Sequence, residues 1–350
     1  MFYQRLRIVA FVLFFAISIS CDDDKNPMDG GNGTGEKAYV VNSIGNSISV
    51  IRLDTLAVEN DVVQLGATGS PVGFTIRNGV AIVPTGSGNS LIVLDLETMR
   101  ISGTVELPDS SGATGSAFLD DTTALVCNLN LNSVSKVNLR SFTVMQTVDV
   151  GVLPSDVEVV NDKIFVANAN LVNWVPAGNG SISVLNPQTM QVTNTIDAKA
   201  INTQFLAEDP EGEIIAVNSG NFGAGDGSVT VIDPVSESVT AGPFVVGDFP
   251  GQHFINDEGL AYLPSFSSGL YVFDTGSNTV LRDESNALAA RTSGGQNVGA
   301  GAVAIAGNGN IYSVNFGDAV SPGTVYVFDP NEVLIDSVKV GFGPIAIYID

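Results

Sequence analysis

The chain has 350 residues, 44% of them apolar and only 15% charged, with 38 glycines and a formal net charge of −23. That length allows two average domains or one large all-β domain. So acidic a surface repels phosphate backbones and no stretch is basic enough to form a local exception, which argues against nucleic acid as a partner.

The first twenty residues read as an address. Arg5 and Arg7 form a charged start, and "IVAFVLFFAI" from Ile8 is apolar but shorter than the roughly 20 residues that cross a bilayer. "SISC" then ends at Cys21. It resembles a bacterial lipobox, whose cysteine is acylated after cleavage, although Ser18 departs from the Leu usual three places earlier. The resemblance implies lipidation of Cys21 and a membrane anchor through it. Residues 21–36 hold few apolar groups and much Asp and Gly, so they read as a flexible tether. Asp22, Asp23 and Asp24 are either a solvated acidic linker or, by likeness to Bacteroidota lipoproteins, a surface-export signal. The expected location is the outer membrane, lipid-anchored, facing the cell surface or the periplasm. Cys127, in "ALVCN", reads as a small core residue, so no disulfide is available.

From residue 37 to 350 one pattern returns seven times. "AYVVNSIGNSISVI" begins at Ala38, "AIVPTGSGNSLIVLD" at Ala81 and "ALVCNLNLNSVSKVN" at Ala124. "IFVANANLVNWVPAGNGSISVLN" begins at Ile164, "IIAVNSGNFGAGDGSVTVID" at Ile214, "AYLPSFSSGLYVFD" at Ala261 and "IYSVNFGDAVSPGTVYVFD" at Ile311. A period of about 45 residues marks a repeat architecture. Each copy holds four strand-like runs. The second and third are apolar nearly throughout, which suits strands covered on both faces. The first two runs are separated by turns such as "RNG" at Arg77 or "DEG" at Asp257, where Asn and Gly supply positive φ. The third run ends in Asp95, Asn138, Asn186, Asp233, Asp274 or Asp329, suited to Asx turns, with Arg52 the exception in the first copy. "ESNALAAR" (Glu284 to Arg291) allows a short helix.

Four-stranded meanders that are apolar on both faces must cover one another, so the expected fold is all-β: a seven-bladed β-propeller of antiparallel blades. The chain opens on a second strand, "KAYVVN", and ends on an orphan first strand, "GPIAIYID". That last strand should pair into the first blade and close the ring. The recurring "YVVN", "FVAN" and "AVNS", the "GSVTVID" runs and the "VGVLP", "VGDFP" and "VGFGP" links resemble YVTN-repeat propellers of the YncE-like type. The resemblance covers about residues 36–350, with "VPT" and "LPS" departing in blades two and six.

Little in the chain signals catalysis. His253 is the only histidine, so a Ser–His–Asp triad would have to use it and a histidine-rich metal site is excluded. It is either a polar residue near the start of an inner strand or, beside Gln252, a ligand contact at the channel mouth. Asp226 and Asp318 lie in Gly-rich loops, where turn chemistry competes with calcium binding. No cofactor is called for. A lactonase-type propeller hydrolase would need a polar cluster in the channel, and Asp156 is the clearest acid near the start of a first strand.

The strands stay constant while one set of loops varies. Loops between second and third strands, and links between blades, leave from one face. The long ones are Ala169–Asn179, Ser219–Asp226 and Phe316–Gly323, with the links Asp197–Asn202 and Asp283–Asn297, all in blades four to seven. They carry Trp174, Phe222 and Phe316, beside Asn170, Asn173 and Asn221, and Phe266 joins them. Such aromatics either pin long loops or make a binding surface. The expected role is a non-catalytic, monomeric binding module for a small molecule, an envelope protein or a glycan, the alternatives being a hydrolase or a scaffold. The "NSGNFGAGDGSVTV" loop is similar to loops of surface propellers that capture corrinoids beside TonB-dependent transporters. That likeness implies a ligand class and a transporter partner.

Overall fold

The structure, a computed structural model, describes residues 35–66, 68–318 and 320–350. Cys21 and the expected signal and tether up to residue 34 lie outside the described residues. Seven four-stranded antiparallel sheets make up the propeller. Blade four, for example, runs outward through Pro154–Val160, Lys163–Asn168, Asn179–Leu185 and Val192–Ile201. Blade five runs through Thr203–Glu208, Ile214–Asn218, Gly227–Asp233 and Ser238–Gly247. Blade one takes its inner strand from the other end of the chain. Pro344–Ile349 pairs with Lys37–Asn42, placing Ala38 opposite Ile349 and Val40 opposite Ile347.

The apolar runs are explained by where their side chains go. Ala38 and Val40 pack with Tyr312, Val325 and Val327 of blade seven. Tyr39 and Val41, on the opposite face of the same strand, pack with Ala81, Val83 and Ile92 of blade two. The same division recurs between every pair of adjacent blades, giving seven apolar clusters among the described residues. The core is therefore a ring of blade interfaces. Each fully buried Val, Leu or Ile in it contributes about 1.5–3 kcal/mol.

The recurring Asn has a specific task. In blade one, Asn42 Nδ2 donates to Ser47 Oγ at 3.2 Å and Ser49 Oγ at 2.9 Å. Asn128 does the same to Ser133 and Ser135, Asn168 to Ser181 and Ser183, and Asn218 to Ser228 and Thr230. A buried amide thus ties the second strand to the third where their loop leaves the sheet. The glycine of the "VG" links lets this amide close: a Cβ on Gly341 would lie 2.5 Å from Asn42 Cγ, and one on Gly151 equally close to Asn168 Cγ. In the departing blades Thr85 binds Ser90 instead, and Ser265 donates to the Asp248 carbonyl.

Turn chemistry follows the sequence reading. Asp95, Asn138, Asn186, Asp233, Asp274 and Asp329 each accept backbone N–H groups from the next turn. Arg52 instead pairs with Glu59 at 3.1 Å. Two expectations need correction. Residues Glu284 to Arg291 form no helix: after a turn the segment runs extended, and Leu288 exchanges two backbone hydrogen bonds with Leu270. The free edge at Leu270 decides the conformation over local propensity. Residues 197–201 are not a loose link either, because the outer strand of blade four continues to Ile201 and pairs it with Asn179. Among the described residues no helix is long and apolar enough to cross a membrane.

Candidate functional site

The loop-rich face is built around a raised hairpin of blade four. Leu171–Val172 pairs with Val175–Pro176, and Asn173 and Trp174 form its two-residue turn with φ of 53° and 65°. Positive φ at both positions is the type I′ pattern, which favours Asn then Gly. Here Trp stands in the glycine place and is 72% exposed. Asn170 holds the loop's base, its Nδ2 donating to the Asn179 carbonyl at 2.8 Å.

The blade-five loop faces this hairpin. Asp226 closes it by accepting from the Asn221 N–H at 2.7 Å and from Asn221 Nδ2 at 3.1 Å. That leaves Phe222 78% exposed, its ring edge-on to Phe249 at 5.7 Å. Trp174, Asn221, Phe222 and Phe249 line a hollow of about 600 Å³ with Asn202 and Gln204. On the far side of the rim Phe266 meets Phe316 edge-on at 6.4 Å, over the Gly299–Gly301 backbone.

Below the hairpin lies the channel. Its upper hollow, about 240 Å³, is lined by Phe74, Thr75, Ser116, Asp156, Phe205 and Gln252 among others. It shares Leu171, Trp174 and Gln204 with the rim hollow. A lower hollow of about 400 Å³ continues it past Glu158, Arg77 and Tyr348. Asp156 and Glu158 point to the channel because strand side chains alternate. Burial raises the Asp156 carboxyl to about 7, against which its bonds from the Leu206 and Val157 N–H groups work. Burial also raises Glu158 to about 8, with the Asp156 and Glu208 charges adding.

Of the residues singled out in the sequence, Trp174, Asn221 and Phe222 come together, and Phe266 and Phe316 form a separate pair. Asn170 and Asn173 serve the hairpin itself. Gln252 lines the channel. His253 is buried, lines none of these hollows, and neither ring nitrogen has a hydrogen-bond partner among the described residues. Burial lowers its pKa to about 4. The Asp318 carboxylate accepts the Ser321 and Val320 N–H groups and so serves its own turn. Sequence reading missed Phe249 and Glu158. The first was hidden in the "VGDFP" link, and the second was visible only as the alternate residue after Asp156.

No family model matches the chain, and no curated protein does either. Solved structures share the fold. A functionally unknown protein from Desulfotomaculum acetoxidans is 13% identical with a TM-score of 0.67, over 89% of this chain and 98% of that one. A quinonprotein alcohol dehydrogenase-like protein from Bacteroides thetaiotaomicron is 12% identical with a TM-score of 0.66, over 89% and 77%. Hydrazine synthase of Kuenenia stuttgartiensis is 17% identical with a TM-score of 0.62, over 79% and 88%. At such identity the likeness concerns the propeller alone.

Proposed function

We propose that this propeller is a non-catalytic ligand-capturing lipoprotein of the YVTN-repeat, YncE-like type, anchored through Cys21 to the outer membrane of a bacterial envelope. The observation that carries the binding role is the gathering of Trp174, Phe222 and Phe249 around one hollow on the loop-rich face. Two of these hold exposed rings on loops that a purely structural role would leave smaller. Flat apolar rings beside the Asn221 and Gln204 amides suit a planar ligand with polar edges. The loop likeness in the sequence narrows that class to a corrinoid handed to a TonB-dependent transporter.

Calorimetry against a cobalamin panel tests the ligand. Binding that quenches or shifts Trp174 emission supports the reading, and absence of heat at tens of micromolar ends the corrinoid assignment. A second reading, a propeller hydrolase, draws on the Asp156 and Glu158 carboxyls, whose raised pKa values are of the kind found in catalytic sites. Turnover of a lactone panel by purified protein, lost in Asp156→Asn, would establish it.

A further inference from the structure

We propose that the upper channel is a second binding site, for a small organic cation with a protonated amine, and that Asp156 is its counter-ion. This goes beyond the rim reading and stands whether or not the rim binds a corrinoid. The channel hollow, about 240 Å³, lies below the roughly 300–1,000 Å³ usual for drug-sized ligands, so its occupant is small.

Its lining offers acceptors, aromatic faces and the Gln204 and Gln252 amides, with no cation among the described residues. Thr75 Oγ1 spends its hydrogen on the Ser116 carbonyl at 2.7 Å, Ser155 Oγ on that of Gln204 at 2.8 Å, and Thr114 Oγ1 on that of Pro154 at 3.2 Å. Those hydroxyls retain only lone pairs for a guest. Asp156 Oδ1 and Oδ2 each accept one backbone N–H, from Val157 and Leu206, which leaves about half of a carboxylate's four acceptor sites unfilled. Among the described residues no Lys or Arg lines this hollow, while Phe74, Phe205 and Trp174 do. Rings and a carboxylate around a small hollow are the complement of an ammonium group. The chain's net charge of −23 adds a field that draws cations in.

The other charged or titratable groups near Asp156 reinforce this choice. Glu158 lies below it on the same strand and Glu208 acts on Glu158 from blade five. Cys127 stands behind it in blade three, buried, with its thiol pushed up. Tyr348 and Arg77 line only the lower hollow, and Arg77 Nε is held by Asp121 at 2.8 Å. Since burial holds the Asp156 carboxyl near neutrality, docking an ammonium restores its anionic form and expels its proton to solvent.

The test titrates the full-length protein at pH 7 with phenethylamine and with its neutral isostere 2-phenylethanol, in two buffers of unlike ionisation enthalpy. The amine should bind about tenfold or more tightly than the alcohol, with release of a fraction of a proton. Asp156→Asn should abolish both the preference and the proton release. Gln252→Arg places a competing cation in the lining shared by the two channel hollows, from an exposed position, so it should weaken the amine even if the Asp156 variant fails to fold. Phe222→Ala, in the rim, should leave amine binding unchanged. Equal affinity for amine and alcohol, no amine binding at millimolar concentration, or loss of amine binding in Phe222→Ala would each overturn the assignment.

Discussion

Gly343 and Phe249 hold the same left-handed backbone at the same place in two inter-blade links, with φ of 62° and 46°. In "VGFGP" the residue before proline is glycine, which adopts this conformation freely, and in "VGDFP" it is phenylalanine, which does not. Leu153 of "VGVLP" repeats the substitution with φ 53°. Both bulky residues line hollows on the loop-rich side, Leu153 in the channel and Phe249 at the rim.

Phe249→Gly and Phe249→Ala should therefore differ in an unusual direction. Both lose the edge-on contact to Phe222, about 0.5–1.5 kcal/mol. Only Gly also relieves the left-handed backbone, at about 1–2 kcal/mol. Urea denaturation should find the Gly variant the more stable of the two. An Ala variant equal to it or better would show that the backbone carries no strain.

Ring closure makes the last strand indispensable. Ala346 and Ile347 are buried, in the two interfaces on either side of blade one. Deleting residues 344–350 exposes both interfaces and the Lys37–Asn42 edge together. Circular dichroism should show the cooperative thermal transition lost or strongly lowered. A truncated protein melting at the wild-type temperature would mean that the ring does not depend on this strand.

Stability should depend on pH through opposed groups. Burial raises Asp156 from 3.8 to about 7 and Glu158 from 4.5 to about 8. Between those values the folded protein keeps protons that the unfolded chain has released. Their contribution is complete below about pH 4 and drains away as pH rises towards 8. His253, lowered from 6.5 to about 4, acts in the other sense: its contribution is present above 6.5 and is lost as pH falls to 4. Above pH 6.5 the acids alone set the slope, so the urea midpoint should fall from there to pH 8. Glu158→Gln should flatten that limb, and a wild-type midpoint constant over it would contradict the assignment.

The orphaned imidazole itself gives a sharper test. With neither nitrogen paired among the described residues, His253 brings desolvation cost without a compensating bond. His253→Leu should leave stability unchanged or raise it, and should remove the loss between pH 6.5 and 4. A loss of more than about 2 kcal/mol at pH 7 would reveal a partner for the ring.

The blades were legible because their signals are local and repeated. The buried Asn with two hydroxyls on the next strand, the Asx turn after the third strand and the Asn78–Gly79 hairpin, with φ of 49° and 74°, each sit at fixed offsets. The candidate site was legible only in part. Chain order put Trp174 and Phe222 on one face, but Phe249 was hidden because a repeat motif does not display its φ. The depth of Asp156 and Glu158 depends on six other blades closing around them. The Ala-rich run after Glu284 looked helical because nothing local reveals that Leu288 meets the open edge at Leu270.

Trp174 joins a left-handed backbone and the proposed binding role in one residue. Its hairpin would be best served by Asn-Gly, and Asn173 is already in place. Trp174→Gly should then keep or raise stability by about 1 kcal/mol, since it removes a bulky side chain from a left-handed position and loses little burial. The same change removes a ring shared by the rim and channel hollows, so it should weaken ligand binding by about 1–3 kcal/mol. Because Trp174 is the only tryptophan, wild-type emission reports on this hairpin alone. Titration of the bound ligand should change that emission with the calorimetric affinity. A tight ligand that leaves emission unchanged and tolerates Trp174→Gly would place its site away from the hairpin and end the argument for the loop-rich face.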